Sequence, residues 1–171
     1  MKYDVFISFP MEANNVAEQF KSYMEASGLT VYKYPHKMRW GDNLWKEIES
    51  ALNNSLTVLA ILTEPSIRSS GVAREINIAV STRKKIYPLF DRYTHPNEHH
   101  QISEIYWRKL EYYDIPTLAQ EIIDGVYEIK RRNDFWGGVL VLAVGVGAIY
   151  LAKKKKEQSA NEKCIPIKNG K

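Results

Sequence analysis

Short apolar runs alternate with amphipathic stretches along the first 130 residues. The runs Tyr3–Phe9, Leu29–Tyr34, Leu56–Leu62 and Lys85–Phe90 are rich in β-branched and aromatic residues, a composition typical of strands. In the stretches between them, apolar residues recur every three or four positions, which predicts helices. Strands that alternate with helices predict an open, doubly wound parallel α/β sheet of the flavodoxin-like type.

Four amphipathic stretches define the predicted helices. The first continues to about Ala26, and the second follows Asp42, which can cap its amino end. The third carries Glu75, and the last extends from about Thr117 to Lys130. The apolar stripe of the third helix is expected to face the core at Val72, Ile76, Ala79 and Val80.

Ligands of parallel α/β sheets bind at the carboxyl ends of the strands. That edge is formed here by the loops after Phe9, Tyr34 and Leu62, and Glu75 follows the third of these loops. The predicted ligand edge also holds Ser8, Trp40 and Arg68. An acid near the start of a helix is more often a solvated residue that the helix dipole favours. Glu75 becomes a candidate functional residue only because these other side chains are expected at the same edge.

The distribution of charge argues against nucleic acid as a partner. The chain has 171 residues, enough for one ordinary domain with a substantial core. Residues 1–129 hold 14 Lys and Arg against 17 Asp and Glu, a net charge of −3. Residues 130–171 hold 10 against 3, a net charge of +7, so the basic excess belongs to the tail.

The tail contains an uncharged apolar segment at residues 135–152. At about 1.5 Å per helical residue it would span roughly 27 Å, just enough for a hydrocarbon core. Basic residues flank it on both sides, and Trp136 and Tyr150 lie near its ends, where aromatic rings prefer the interface. A buried core helix is the alternative, but such helices are rarely apolar on every face. We therefore expect three parts: a domain at 1–132, a transmembrane helix at 135–152 and a basic polar tail at 153–171.

The start of the chain and its cysteine content predict the compartment. Met1 to Asp4 leads directly into the first strand, so we expect no signal peptide and a cytoplasmic domain. Cys164 is the one cysteine in the sequence, which excludes an internal disulfide and is consistent with a reducing compartment. Both flanks of the apolar segment are basic, so charge does not predict the orientation of the tail.

Patterns for metals and phosphates give no further site. His95, His99 and His100 lie in a polar segment that we expect to be an exposed loop, and their spacing matches no zinc pattern. Gly145 and Gly147 lie inside the apolar segment without the third glycine or the preceding strand of a dinucleotide fingerprint. We therefore expect no bound metal.

Several segments, in chain order, resemble motifs of Toll/interleukin-1 receptor (TIR) domains. Tyr3–Ser8 is similar to the opening motif of the family, and Gly28–Tyr32 is similar to its second strand. The loop through Gly41 is similar to the BB loop, Ile48–Ser55 to the next helix, and Tyr106–Leu110 to the late aromatic motif. Leu56–Thr63, followed by Ser69 and Glu75, resembles the segment that places the catalytic glutamate in those TIR domains that cleave NAD+. The resemblance covers roughly residues 1–130.

The resemblance implies that Glu75 is the catalytic residue and that NAD+ is a substrate, with no resident cofactor. Cleavage between nicotinamide and ribose develops an oxocarbenium-like sugar, which a glutamate can stabilise. Around it, Ser8, Phe9 and Trp40 are expected to contact the nucleotide, and Lys33, Arg39 and Arg68 to hold its pyrophosphate. Trp45 is a further stacking candidate, although its helical spacing is more typical of a core residue.

Two departures from the catalytic pattern keep a second hypothesis open. Gly71 stands where enzymatic relatives often carry tryptophan, and Phe9–Pro10 stands where many carry a basic residue. The first hypothesis is a membrane-anchored TIR enzyme of bacterial type that hydrolyses or cyclises NAD+ in stress or anti-phage signalling. The second is a non-catalytic TIR scaffold that signals as a homo-oligomer through TIR–TIR contacts. Anchoring in a membrane suits both because it raises local concentration. A related flavodoxin-like or deoxyribosyltransferase-like domain, acting on a different nucleotide, is a third, remote alternative.

Overall fold

The computed structural model describes residues 1–34, 42–96, 102, 107–110 and 114–133, with the backbone alone for residues 42 and 43. Its contacts divide the chain into two compact units, Met1–Tyr127 and Glu128–Lys171. The predicted transmembrane helix at 135–152 and the tail after it lie outside the described residues. Within the described ranges, no helix is long and apolar enough to cross a membrane.

Five strands, five α-helices and one 3₁₀ helix at Met11–Ala13 are described. The strands are β1 (Tyr3–Ser8), β2 (Val31–Tyr32), β3 (Ser55–Leu62), β4 (Lys85–Phe90) and β5 (Arg108–Lys109). The helices are α1 (Asn14–Ala26), α2 (Asp42–Asn53), α3 (Glu64–Ile67), α4 (Ser70–Ser81) and α5 (115–133). All four predicted strands and all four predicted helices are present. The short elements α3 and β5 were not predicted.

All five strands are parallel and lie in the order β2-β1-β3-β4-β5. This confirms the predicted parallel α/β sheet and its flavodoxin-like order. Chain connections leave in opposite directions on the two sides of the β1/β3 pair, so the topological switch point lies between these strands. In their register Ser8 pairs with Ala60. Ligands of such sheets bind in the crevice at this point.

The core is centred on β1 and β3. Phe6 and Ile7 point to opposite faces of β1, and both are completely buried, as are Leu59 to Leu62 on β3. A run of buried apolar residues on both faces is what a strand covered on both sides requires. The buried residues of α5 belong to the same core: Leu118, Ala119, Ile122, Ile123 and Val126.

Local signals account for the helix ends. After α1, Gly28 adopts a φ of +82°, and the amide of Leu29 donates to the carbonyl of Met24 at 3.1 Å. This left-handed glycine is the common way to end a helix. Helix α5 begins two residues before the predicted Thr117, because Asp114 accepts a hydrogen bond from the amide of Thr117 at 2.7 Å and caps the helix.

One inward-facing assignment was wrong. Val80, predicted to lie on the core face of α4, is 40% exposed. The buried residues of this helix are Val72, Glu75, Ile76 and Ala79. The carboxyl side chain of Glu75 therefore lies on the inward face of α4, which the sequence pattern predicted to be apolar.

Candidate active site

Strand β1 and helix α4 bring Ser8 and Glu75 together at the carboxyl edge of the sheet. Ser8 is the last residue of β1, beside the switch point, and Glu75 lies one turn into α4. The Ser8 hydroxyl donates a hydrogen bond to Glu75 Oε2 at 2.5 Å. Ser69 fixes the start of α4, since its Oγ accepts from the amide of Val72 at 3.3 Å. The sequence placed both residues on this edge, and the structure joins them directly.

Glu75 is not the solvated acid that its position near a helix start would suggest. Its relative exposure is 2%, and Ser8 is completely buried. Burial raises the pKa of Glu75 to about 8, and the hydrogen bond from Ser8 opposes part of that rise. A buried carboxyl with a strongly raised pKa at a ligand-binding edge is a candidate functional group on physical grounds.

Two tyrosines lie within electrostatic range of Glu75. Burial is the main cause that raises the pKa of Tyr34, and the charge of Glu75 is the next. The pKa of Tyr32 is raised by burial and by Glu47, with a smaller contribution from Glu75. Both hydroxyls are bonded elsewhere: Tyr32 donates to Glu47 Oε1 at 3.2 Å, and Tyr34 to the carbonyl of Phe9 at 2.5 Å.

Phe9, Lys33 and Tyr34 form an aromatic cluster that joins the ends of β1 and β2. The rings of Phe9 and Tyr34 stack with centroids 4.6 Å apart and planes 13° apart. The Lys33 ammonium lies 4.7 Å from the centre of the Phe9 ring, in cation–π contact. Phe9 is completely buried, so in this conformation its ring is covered by neighbours of its own chain.

Lys33 already has partners for its charge. Its side chain is 4% exposed, and its ammonium contacts Asn14 Oδ1 at 2.8 Å and Glu18 Oε1 at 3.0 Å. Arg68 is exposed at the end of α3. Arg39 and Trp40 lie outside the described residues. The roles predicted for these side chains and for Phe9 in nucleotide binding stay predictions, and those of Phe9 and Lys33 require the aromatic cluster to open.

The position of Gly71 is explained by Trp45. A Cβ atom built on Gly71 would lie 3.2 Å from Cη2 of the Trp45 indole, which comes from α2. Trp45 is partly buried against the core, as its helical spacing suggested, and Arg74 lies 4.9 Å from its ring centre. The indole of α2 thus fills the space next to the start of α4, where a side chain at position 71 would project.

Comparison with known proteins identifies the domain. The family model of the TIR domain matches residues 5–123. No curated protein sequence matches the chain.

Among solved structures, three TIR domains resemble the fold at low sequence identity. The TIR domain of the Toll-related receptor TRR-2 from Hydra magnipapillata has a TM-score of 0.61 and 16% identity, and the match covers 73% of this chain and 98% of that one. The TIR domains of the activated Roq1 resistosome, which recognises the pathogen effector XopQ, have a TM-score of 0.58 and 16% identity. This match covers 72% of this chain and 99% of that one. The heterodimer of the RPS4 and RRS1 TIR domains has a TM-score of 0.53 and 14% identity, and the match covers 73% of this chain and 96% of that one.

Proposed function

The chain belongs to the TIR domain family, and from this premise we propose that its Ser8–Glu75 site cleaves the bond between nicotinamide and ribose in NAD+. The observation that carries the proposal is the buried Glu75 carboxyl at the switch point of the sheet. A buried ionisable group is costly to keep, so its presence at a ligand-binding edge favours a chemical role.

The chemistry suits a single carboxylate. When the bond from C1′ of the ribose to nicotinamide breaks, the electron pair goes to the ring nitrogen, and the positive pyridinium leaves as neutral nicotinamide. No general acid is needed for departure. The positive charge moves to the ribose, where the ionised Glu75 stabilises it. Water then adds to C1′ and releases a proton, which gives ADP-ribose. Attack by a second nucleophile within the same molecule gives a cyclic product.

Access to Glu75 requires movement in its surroundings. The carboxyl is 2% exposed, and the aromatic cluster of Phe9, Lys33 and Tyr34 lies beside it. Assembly of several TIR domains supplies the energy for this opening, so the chain is active as a homo-oligomer. Assembled TIR domains in the resistosome and in the heterodimer support this part of the proposal.

The segment at 135–152 anchors the cytoplasmic TIR domain to a membrane. Its length, apolar character and basic flanks support this assignment. Confinement to two dimensions raises the local concentration of TIR domains and favours their association. In this arrangement the protein would act in bacterial-type stress or anti-phage signalling, with NAD+ cleavage as its output.

The burial of Glu75 also favours a second candidate function, a non-catalytic scaffold. If the surroundings of Glu75 do not open, NAD+ does not reach the carboxyl, and such a domain would signal through TIR–TIR contacts alone.

One experiment separates the two functions. The full chain is reconstituted in lipid vesicles at low and at high surface density, and nicotinamide release from NAD+ is measured for wild type and Glu75→Gln. Density-dependent release that is lost in Glu75→Gln supports the enzyme. Assembly at high density without any release from wild type would establish the scaffold instead. Equal release from both proteins would refute the role of Glu75.

A further inference from the structure

The Ser8 hydroxyl faces a carboxyl group of its own chain. Ser8 is completely buried, and its hydroxyl points to Glu75 Oε2 at 2.5 Å. Its position at the end of β1 suggested a contact with the nucleotide. The geometry gives the side chain a different partner.

We propose that Ser8 is a positioning residue, which holds the Glu75 carboxylate at the end of β1 and makes no contact with NAD+. The inference rests on the proposed function, since it assigns the part that Ser8 plays in that site. It joins β1 to α4 across the switch point of the sheet, where the carboxylate must meet the ribose.

The neighbouring hydroxyls explain why Ser8 is important. Tyr34 donates its proton to the carbonyl of Phe9, and Tyr32 donates to Glu47. Among the residues that the structure describes, Ser8 is thus the residue that donates a hydrogen bond to the Glu75 carboxyl. Hydrogen bonds to charged groups are the strong ones, and a buried carboxylate without a donor is expensive.

The other groups near Glu75 do not replace the hydrogen bond from Ser8. Burial raises the pKa of Glu75, and the hydrogen bond from Ser8 opposes that rise. Tyr32 of β2 and Tyr34 after it interact with the charge of Glu75, and Glu47 of α2 and Glu12 act on these two tyrosines. These groups are tyrosines or acids, and none of them supplies a positive charge that would lower the pKa of Glu75. Without Ser8, the pKa of Glu75 would rise further above its value of about 8.

The test compares Ser8→Ala with Ser8→Cys, which keeps a weak donor of similar size. We expect Ser8→Ala to lower kcat for NAD+ cleavage at pH 7 on the order of tenfold to a hundredfold, with KM nearly unchanged. The loss shrinks at pH 9 because the carboxyl is again ionised. Ser8→Cys gives an intermediate loss, and it decides the matter if Ser8→Ala does not fold.

A direct titration gives a readout besides activity. In the full chain labelled with ¹³C-glutamate, the carboxyl resonance that disappears in Glu75→Gln is followed against pH. Ser8→Ala is expected to move its midpoint to higher pH. The matched control is Ser55→Ala, since Ser55 is also completely buried but bonds to the carbonyl of Ala51 at the amino end of β3. It should leave the midpoint unchanged.

The outcomes distinguish this inference from the proposed function. If wild type cleaves no NAD+ but Ser8→Ala still raises the midpoint, the enzyme proposal fails while the Ser8–Glu75 pairing stands. If Ser8→Ala leaves both the midpoint and the pH profile unchanged and raises KM alone, Ser8 contacts the nucleotide and the inference is wrong.

Discussion

The two ends of the sheet place polar groups in different surroundings, since Asp4 and Lys84 at the amino end are partly exposed, whereas Glu75 at the carboxyl end is buried. At the amino end, Asp4 Oδ2 accepts from the amide and hydroxyl of Thr30 at 2.7 and 2.9 Å. There the ammonium of Lys84 donates to the carbonyls of Asn53 and Ser55 at 3.1 and 2.6 Å. At the carboxyl end, Glu75 is almost completely buried, with the hydroxyl of Ser8 as its donor.

The difference shows which end of the sheet lowers the stability of the fold. Polar side chains at the amino end form hydrogen bonds with backbone groups at the ends of strands and helices, so they stabilise the fold. The carboxyl end keeps an acid whose ionisation is opposed by its surroundings, which costs stability at neutral and alkaline pH. Such local conflicts are expected at functional sites, because the rest of the fold compensates for them.

The largest expected effect is on the pH dependence of stability. Folding raises the pKa of Glu75 from 4.5 to about 8, so the folded state binds the proton more tightly. Its contribution to stability is fully present below the unfolded pKa and is lost as pH rises through about 8. Relative to wild type, Glu75→Gln should gain about 3 to 5 kcal/mol in free energy of unfolding between pH 4.5 and 9.

Denaturant unfolding of both proteins at several pH values checks this difference. Other titrating groups cancel in the comparison, since the two chains differ at one position. A gap between them that stays constant with pH would mean that Glu75 is solvated, and the contrast between the two ends of the sheet would disappear.

Shortening the carboxyl side chain sharpens the comparison. Glu75→Asp keeps the charge but withdraws it by one methylene from the Ser8 hydroxyl, now at 2.5 Å from Oε2. A misplacement of about 1 Å commonly costs about a hundredfold, so we expect a loss of that size in kcat/KM for NAD+. Steady-state kinetics measures it. Activity close to wild type would show that the position fixed by Ser8 is unimportant.

At the amino end, a substitution should act on stability alone. Lys84→Met removes the donor to the carbonyls of Asn53 and Ser55, and we expect a loss of about 1 to 3 kcal/mol. Lys21→Met is the matched control, because its ion pair with Glu25 at 3.7 Å is exposed and contributes under about 0.5 kcal/mol. Thermal or denaturant unfolding compares the two. A change in the titration of Glu75 in Lys84→Met would break the separation between the ends.

The smallest expected effect concerns Tyr34. Tyr34→Phe removes the hydrogen bond to the carbonyl of Phe9 but preserves the ring stack, so the loss should be about 1 kcal/mol. Because the Tyr34 hydroxyl donates to the carbonyl of Phe9, and the pKa of Glu75 is set by burial and by Ser8, the same variant should leave the midpoint of Glu75 within about half a pKa unit of wild type. Unfolding and carboxyl titration test both statements. A loss well above about 1 kcal/mol would mean that the hydrogen bond from Tyr34 to the carbonyl of Phe9, and not the ring stack, is what mainly joins the ends of β1 and β2.

The sequence predicted the sheet well because its strands are apolar on both faces. Leu56 to Leu62 reads as a buried central strand, and it is β3. Strand β5 escaped prediction because its two residues, Arg108 and Lys109, are charged and carry no strand signal. Its pairing with Leu89 and Phe90 of β4 comes from tertiary contacts that no local pattern shows.

The candidate site was predicted in position but not in environment. Glu75 was expected at the ligand edge, where the general tendency for an acid near a helix start is to be solvated, but its side chain is only 2% exposed. A signal was present, since Val72, Glu75, Ile76 and Ala79 follow the spacing i, i+3, i+4, i+7 of one helix face. Its direct bond with Ser8 depends on how α4 packs against β1, which periodicity does not specify.

The measurement that tests the central claim most directly is the pH profile of kcat/KM for NAD+ cleavage by the full chain clustered on vesicles. This quantity reports the ionisation of the free enzyme. If the buried Glu75 acts as a carboxylate, activity rises with pH to a midpoint near 8 and is absent in Glu75→Gln at every pH. Activity with no dependence on pH between 5 and 9, or cleavage that persists in Glu75→Gln, would contradict the account.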